Sequence, residues 1–237
     1  MGSVYRLTLH QLSGRWRLVI MTVLAALPAI IATVMLNDPN APTLVEFETA
    51  IVGAMLAGSI TPLVVLATAA AAFGNEVEDR TLANLTLSPV PRWQIALPKL
   101  LATFTIAAPF IVLSSLLMAH IAFLGDYKAT VAVVVSAMVA VAMYASMFVW
   151  LGLVSTQAIG VGLLYIVLWE GFISGFVSGA RLLSIRYYAI ALMHGIDGRR
   201  FASSNDINFV AAIILSTVVI GGFLTLSIRR LRRMDVP

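Results

Sequence analysis

Two sets of side chains in this sequence have types and spacings that could do chemistry. Glu170, Ser174 and Ser178 recur every four residues within WEGFISGFVSGA, which on a helix gathers a carboxyl group and two hydroxyls into one polar stripe. A carboxyl group held inside a membrane costs about 2.5–3.5 kcal/mol or more on insertion scales. It therefore needs a partner, a water-filled cavity or a proton. The second set is Glu76, Glu78, Asp79 and Arg80, gathered into five positions of GNEVEDRTLANLTLSPVPRWQ. Such a knot of acid between two long apolar runs matches a basic partner surface better than it matches lipid.

Other chemistries lack their groups. No HExxH, GxSxG or intramembrane aspartyl pair occurs, so hydrolysis within the bilayer has no machinery. His10, His120 and His194 lie in separate segments without ligand spacing, and no cysteine is present, which excludes disulfides, thiolate metal sites and cysteine nucleophiles. GxxxxGK[ST] is absent as well, so the chain does not cradle a nucleotide by that route.

The elements that must hold these residues are apolar helices. Of the 237 residues 60% are hydrophobic and 11% charged, against about 25% charged in soluble domains, and the mean hydropathy is +0.98. Stretches near the ~18–20 residues that cross a bilayer recur. They predict an all-α membrane protein with one transmembrane domain over 1–237. Its six spans fall at about 18–36, 51–73, 95–124, 129–153, 159–177 and 209–228. The first is too long for a cleavable signal and reads as a signal anchor. Ahead of it, Leu9, Leu12 and Trp16 fall at helical spacing among Arg6, Arg15 and Arg17, which predicts an amphipathic interfacial helix. The segment 37–49 reads as an acidic external loop. Pro28, Pro62 and Pro109 lie inside spans, where kinks are expected.

With six spans both termini share a side. Arg6, Arg15, Arg17, Arg80, Arg92, Lys99, Arg229, Arg230, Arg232 and Arg233 fall on one face, and Lys128, Arg181, Arg186, Arg199 and Arg200 on the other. The positive-inside rule then puts the termini and the acidic cluster in the cytoplasm. The net charge of +4 reads as topology and anionic lipid contact rather than nucleic-acid binding, and the C-terminal RRLRR as a stop-transfer anchor.

From Glu76 to Leu87 the pattern predicts a short helix with Val77, Thr81, Leu82 and Leu85 on its apolar side, stopped by SPVP at 88–91. Arg92, Trp93 and Lys99 mark the return to the bilayer. An acidic residue, then Arg80-Thr81-Leu82, an apolar turn, Leu87-Ser88-Pro89-Val90-Pro91-Arg92 and Pro98-Lys99-Leu100-Leu101 resembles the loop after the second span of ABC type-2 exporter permeases. The similarity extends over essentially the whole layout, with Pro98 where glycine would be expected. The resemblance implies that Glu76, Glu78, Asp79, Arg80, Thr81, Leu82, Leu85, Pro89 and Arg92 form a coupling helix docking on a separate ATP-binding subunit. It further implies two such subunits, which hold ATP and Mg, and a second permease, identical or paralogous. The chain itself would hold no cofactor and catalyse no bond chemistry. It would sit, multi-pass, in the cell inner (plasma) membrane.

Three roles stay open for Glu170: hydrogen bonding helix ends near a bend, lining the pathway with Ser174 and Ser178, or binding cargo. The spans offer it no basic partner. Gly171, Gly175 and Gly179, four apart, predict close helix packing. The segment 180–208 reads as an interfacial or re-entrant external helix with snorkelling arginines, or as an outer gate in which Arg181 and Arg186 meet anionic headgroups or cargo. Two other classes remain: a membrane-embedded enzyme handling lipid or a polyprenyl carrier, which would turn over without an ATPase, and a non-transporting scaffold or sensor subunit. No side-chain constellation selects a cargo.

Overall fold

The computed structural model describes residues 2–39, 42–78, 91–201 and 207–233, with the backbone alone at 75–78 and 178. These residues are predominantly helical, without a strand. Six helices are long and apolar enough to cross a membrane: Arg15–Leu36, Leu44–Gly74, Trp93–Phe123, Tyr127–Val154, Ala158–Phe176 and Phe209–Arg233. They are called the first to sixth spans below. The predicted spans fall on these helices because a run of apolar side chains long enough for a bilayer has no competing soluble solution.

The N-terminal helix Gly2–Leu12 packs on the third span, where the Tyr5 hydroxyl donates to Thr105 Oγ1 at 3.0 Å. Leu12 is buried, but Trp16 is 72% exposed. The helix ends at Leu12 and a new one begins at Arg15, so the four-residue phase expected between Leu12 and Trp16 is broken at Ser13-Gly14. The second span also starts earlier than predicted. Thr43 and Glu46 form a capping box that launches a helix at Leu44, so 44–49 is not loop. That helix runs on through a π-helical stretch, Glu48–Ile60, into Thr61–Glu78. Thr61 N–H bonds to Leu56 O, five residues back. The wider π turn makes room directly ahead of Pro62, whose ring would crowd an ordinary α turn.

The fourth span is the centre of the bundle. It packs against the second, third and sixth spans and the hairpin helix Ile185–Ile196. Ala140, Val141, Met143, Tyr144, Ala145 and Phe148 are all buried, a helix apolar on every side. The most apolar stretches of the second and fourth spans are 67% and 61% buried within the chain, against 28%, 22% and 11% for the first, fifth and sixth. Those three peripheral helices offer their aliphatic faces to lipid or to another chain.

Three clefts fix which ends of the helices lie together. One joins Arg17, Gly74 and Gln157, a second Tyr5 and Leu97, and a third Trp150, Val154 and Arg229. The start of the first and third spans, the end of the second, fourth and sixth, and the N-terminal helix therefore share one end of the bundle. At the other end Asp126 caps the fourth span, accepting from the N–H of Lys128 and Ala129, and pairs with Arg200 Nε at 2.9 Å.

Candidate functional site

Glu170 is fully buried, and its surroundings are built by four elements. It sits in a second π-helical stretch, Tyr165–Ile173, inside the fifth span. That stretch packs against the π segment of the second span. Paired π segments are uncommon, and such irregular turns concentrate at functional positions. The fifth span ends at Phe176, and after the short helix Ser178–Arg181 the chain turns back into Ile185–Ile196. This return places Ser184, the residue preceding that helix, against Glu170.

Both carboxyl oxygens are occupied. Tyr165 donates its hydroxyl to Oε1 at 2.8 Å and the Ile185 N–H donates to the same oxygen at 3.1 Å, while Ser184 Oγ donates to Oε2. The first free N–H of the hairpin helix is thereby satisfied by a side chain fifteen residues upstream. Ser184 makes no side-chain cap of its own, so Glu170 does the work usually done by the N-cap residue. Trp169 Nε1 donates to Leu183 O at 3.4 Å, and the Tyr188 hydroxyl donates to Leu182 O. The turn 182–184 is thus held by the fifth span on one side and by its own hairpin helix on the other.

Ser174 is also buried, and its Oγ donates to the Glu170 carbonyl at 2.9 Å. It satisfies backbone rather than facing the carboxyl group. The side chain of Ser178 lies outside the described residues. Arg186 crosses between the two π segments. Its Nη1 donates to the carbonyl, not the carboxyl, of Glu170 at 3.5 Å. Its stem fills the space over Gly58, where a Cβ would come within 2.8 Å of Cδ. The hairpin is therefore not a helix lying free with snorkelling arginines. Ile185, Tyr188, Ala189, Ala191, Leu192 and Met193 are buried, and the Arg186 stem packs inward. Arg181 and Arg186 both lie over the Tyr187 ring, at 5.3 and 5.5 Å from its centroid.

The glycine stripe does not join helices within the chain. A Cβ on Gly175 or Gly179 would meet nothing within 4 Å, and one on Gly171 would meet only its own helix at Ile166 O. Close approach occurs instead at Gly152, where a Cβ would lie 2.7 Å from Ala70 O, and at Gly162, 2.4 Å from Leu66 Cδ1.

Of the segment carried by the resemblance, the backbone of Glu76 and Glu78 continues the second span without a break, so no separate helix begins at Glu76. Asp79, Arg80, Thr81, Leu82, Leu85 and Pro89 lie outside the described residues. Arg92 precedes the first turn of the third span. Sequence reasoning missed Lys99 here. It reads as an interfacial marker, yet it is buried within the third span. Its amine donates to Ala72 O and sits 4.3 Å from the Phe73 ring centroid. Lys99 thus ties the root of the third span to the end of the second. Its only warning in the sequence is its position one turn inside an apolar run. Among the described residues no group of three or more His, Asp or Glu is placed to hold a metal.

No family model matches this chain, and no curated protein matches it.

Proposed function

We propose that this chain is the membrane-embedded permease subunit of an ATP-driven exporter of the ABC type-2 class. The observation that carries the proposal is the run of residues from Glu76 to Leu101, with its acidic cluster, Arg80-Thr81-Leu82, the 88–92 proline stretch and Lys99, set between the second and third of six apolar helices. In this reading the N-terminal helix lies in the membrane interface, both termini are cytoplasmic, and the 76–92 segment couples the chain to its ATPase. The hairpin helix Ile185–Ile196 is an external re-entrant element. Two copies, or this chain and a paralogue, form the pathway in the plasma membrane, and two ATP-binding subunits carrying ATP and Mg drive it.

Two structural features support this assignment. Lys99 fastens the second and third spans together at the end where the acidic segment emerges, so a push on that segment would reach both helices at once. The poorly buried first, fifth and sixth spans leave apolar surface for a second permease and for lipid. Glu170 is best read as the residue that holds the hairpin helix in place, because its carboxyl oxygens already accept from Tyr165, Ser184 and Ile185. Arg181 and Arg186 beside it remain candidates for an outer gate.

The test is purification of the tagged chain from its own host's membranes, with partners identified by mass spectrometry. A stoichiometric small ATPase is expected. Turnover of a lipid or polyprenyl substrate by the pure chain, with no ATPase present, would favour the membrane-enzyme reading instead.

A further inference from the structure

At the end of the bundle that holds both termini, the fourth and sixth spans part to leave a groove of about 360 Å³, lined by Trp150, Val154, Leu226, Arg229, Arg230 and Arg233. The lining follows helical spacing. Leu226, Arg229, Arg230 and Arg233 stand at i, i+3, i+4 and i+7 on the sixth span, and Trp150 and Val154 at i and i+4 on the fourth. Phe223, one turn earlier, packs on Trp150 with ring centroids 5.5 Å apart, which joins the two helices beside the groove. Its lining joins one aromatic and two aliphatic side chains to three guanidinium groups.

We propose that this groove binds an anionic phospholipid of the surrounding leaflet. The phosphodiester would sit among Arg229, Arg230 and Arg233, and an acyl chain would run along Trp150, Val154 and Leu226. The inference rests on the six helices crossing a bilayer and is independent of the transporter reading. Charge complementarity selects the occupant. Neither ion pair described in the structure involves these arginines, and a planar guanidinium fork matches a phosphate oxygen pair better than a point charge does. Basic pockets between transmembrane helices suit acidic headgroups for this reason. A topological role alone requires only positive charge near the helix end. It does not require that three of the four terminal arginines converge on one aliphatic slot while Arg232 points elsewhere.

The experiment titrates dioleoyl phosphatidylglycerol into the detergent-purified full-length chain and counts bound lipid by native mass spectrometry. Phosphatidylcholine and inorganic phosphate serve as comparators. Phosphatidylglycerol is expected to bind in preference to phosphatidylcholine, and inorganic phosphate at the same phosphate concentration should not displace it. An arginine near a membrane surface contributes the equivalent of about fivefold in affinity, so R230Q should weaken binding about fivefold while R232Q, with the same charge change, leaves it alone. L226W keeps every charge but fills the slot, and should weaken binding at least as much as R230Q. Equal losses in R230Q and R232Q would mean diffuse attraction and overturn the proposal. So would wild-type binding by L226W or R230Q, or displacement by inorganic phosphate, which would mark a site for the free anion.

Discussion

Replacing Glu170 by alanine should loosen the hairpin helix from the fifth span, and the structure sets the scale. The carboxyl group accepts from Tyr165, Ser184 and the Ile185 N–H in a site with no water access. The two hydroxyls can rotate toward other acceptors, but the Ile185 N–H is fixed at the first residue of its helix. The buried Ile185 N–H left unsatisfied costs about 1–3 kcal/mol, and the two lost hydroxyl bonds add about 1 kcal/mol each, so E170A should lose about 3–5 kcal/mol in all. Against a typical folding margin of about 5–15 kcal/mol this is a large share. E170Q should be mild. Both donors on Oε1 can be kept by the amide oxygen, and the new NH₂ can donate to Ser184 Oγ, itself able to accept. The assays are thermal unfolding of the purified chain and hydrogen exchange at the Ile185 amide. E170A should unfold several degrees early and exchange faster at Ile185, with E170Q close to wild type. An E170A protein as stable and protected as wild type would refute this account of Glu170, as would an E170Q protein as damaged as E170A.

Three further outcomes follow from the same geometry. G152A drives a Cβ toward Ala70 O and should destabilise by about 1–3 kcal/mol. G221A, which meets nothing within 4 Å, should be neutral or gain up to about 1 kcal/mol from helix propensity; thermal melts of both variants check the pair. K99M keeps the buried stem of Lys99 and should unfold later than K99A, which loses packing as well as the bond to Ala72 O. Asp126 has its carboxyl held below the usual range, chiefly by the Ala129 N–H and further by Arg200 and the Lys128 N–H. A lowered folded value means that its contribution is present above the ordinary carboxyl value and is lost as pH falls through the lowered one. Acid titration of unfolding should therefore show D126A already weakened at neutral pH, and D126N retaining the cap while losing the acid-sensitive step.

The span positions were readable because bilayer length and apolar composition constrain a helix strongly, and all six fall on observed helices within a few residues except the second, whose capping box extends it back to Leu44. The polar stripe of the fifth span was readable too, but its meaning was not. Glu170 meets Ser184 and Ile185 only because the chain breaks at Val177 and returns, and no helical spacing encodes a contact across fourteen or fifteen residues. The four-residue glycine repeat at 171, 175 and 179 suggests packing, whereas the close contacts fall on glycines outside it, at 58, 152, 162 and 195, where the partner's position decides. From sequence Lys99 reads as interfacial, because a charge near a helix end usually reaches water. Here the second span's carbonyl at Ala72 and the ring of Phe73 receive it instead.

The most direct test of the central claim concerns the acidic cluster of Glu76, Glu78 and Asp79. The chain and the ATPase that co-purifies with it should be reconstituted into vesicles, and nucleotide hydrolysis and ATPase retention compared between wild type and a variant carrying E76A, E78A and D79A together. The account predicts that the folded variant sheds its ATPase or loses its stimulation of hydrolysis. Full retention with undiminished stimulation would contradict it.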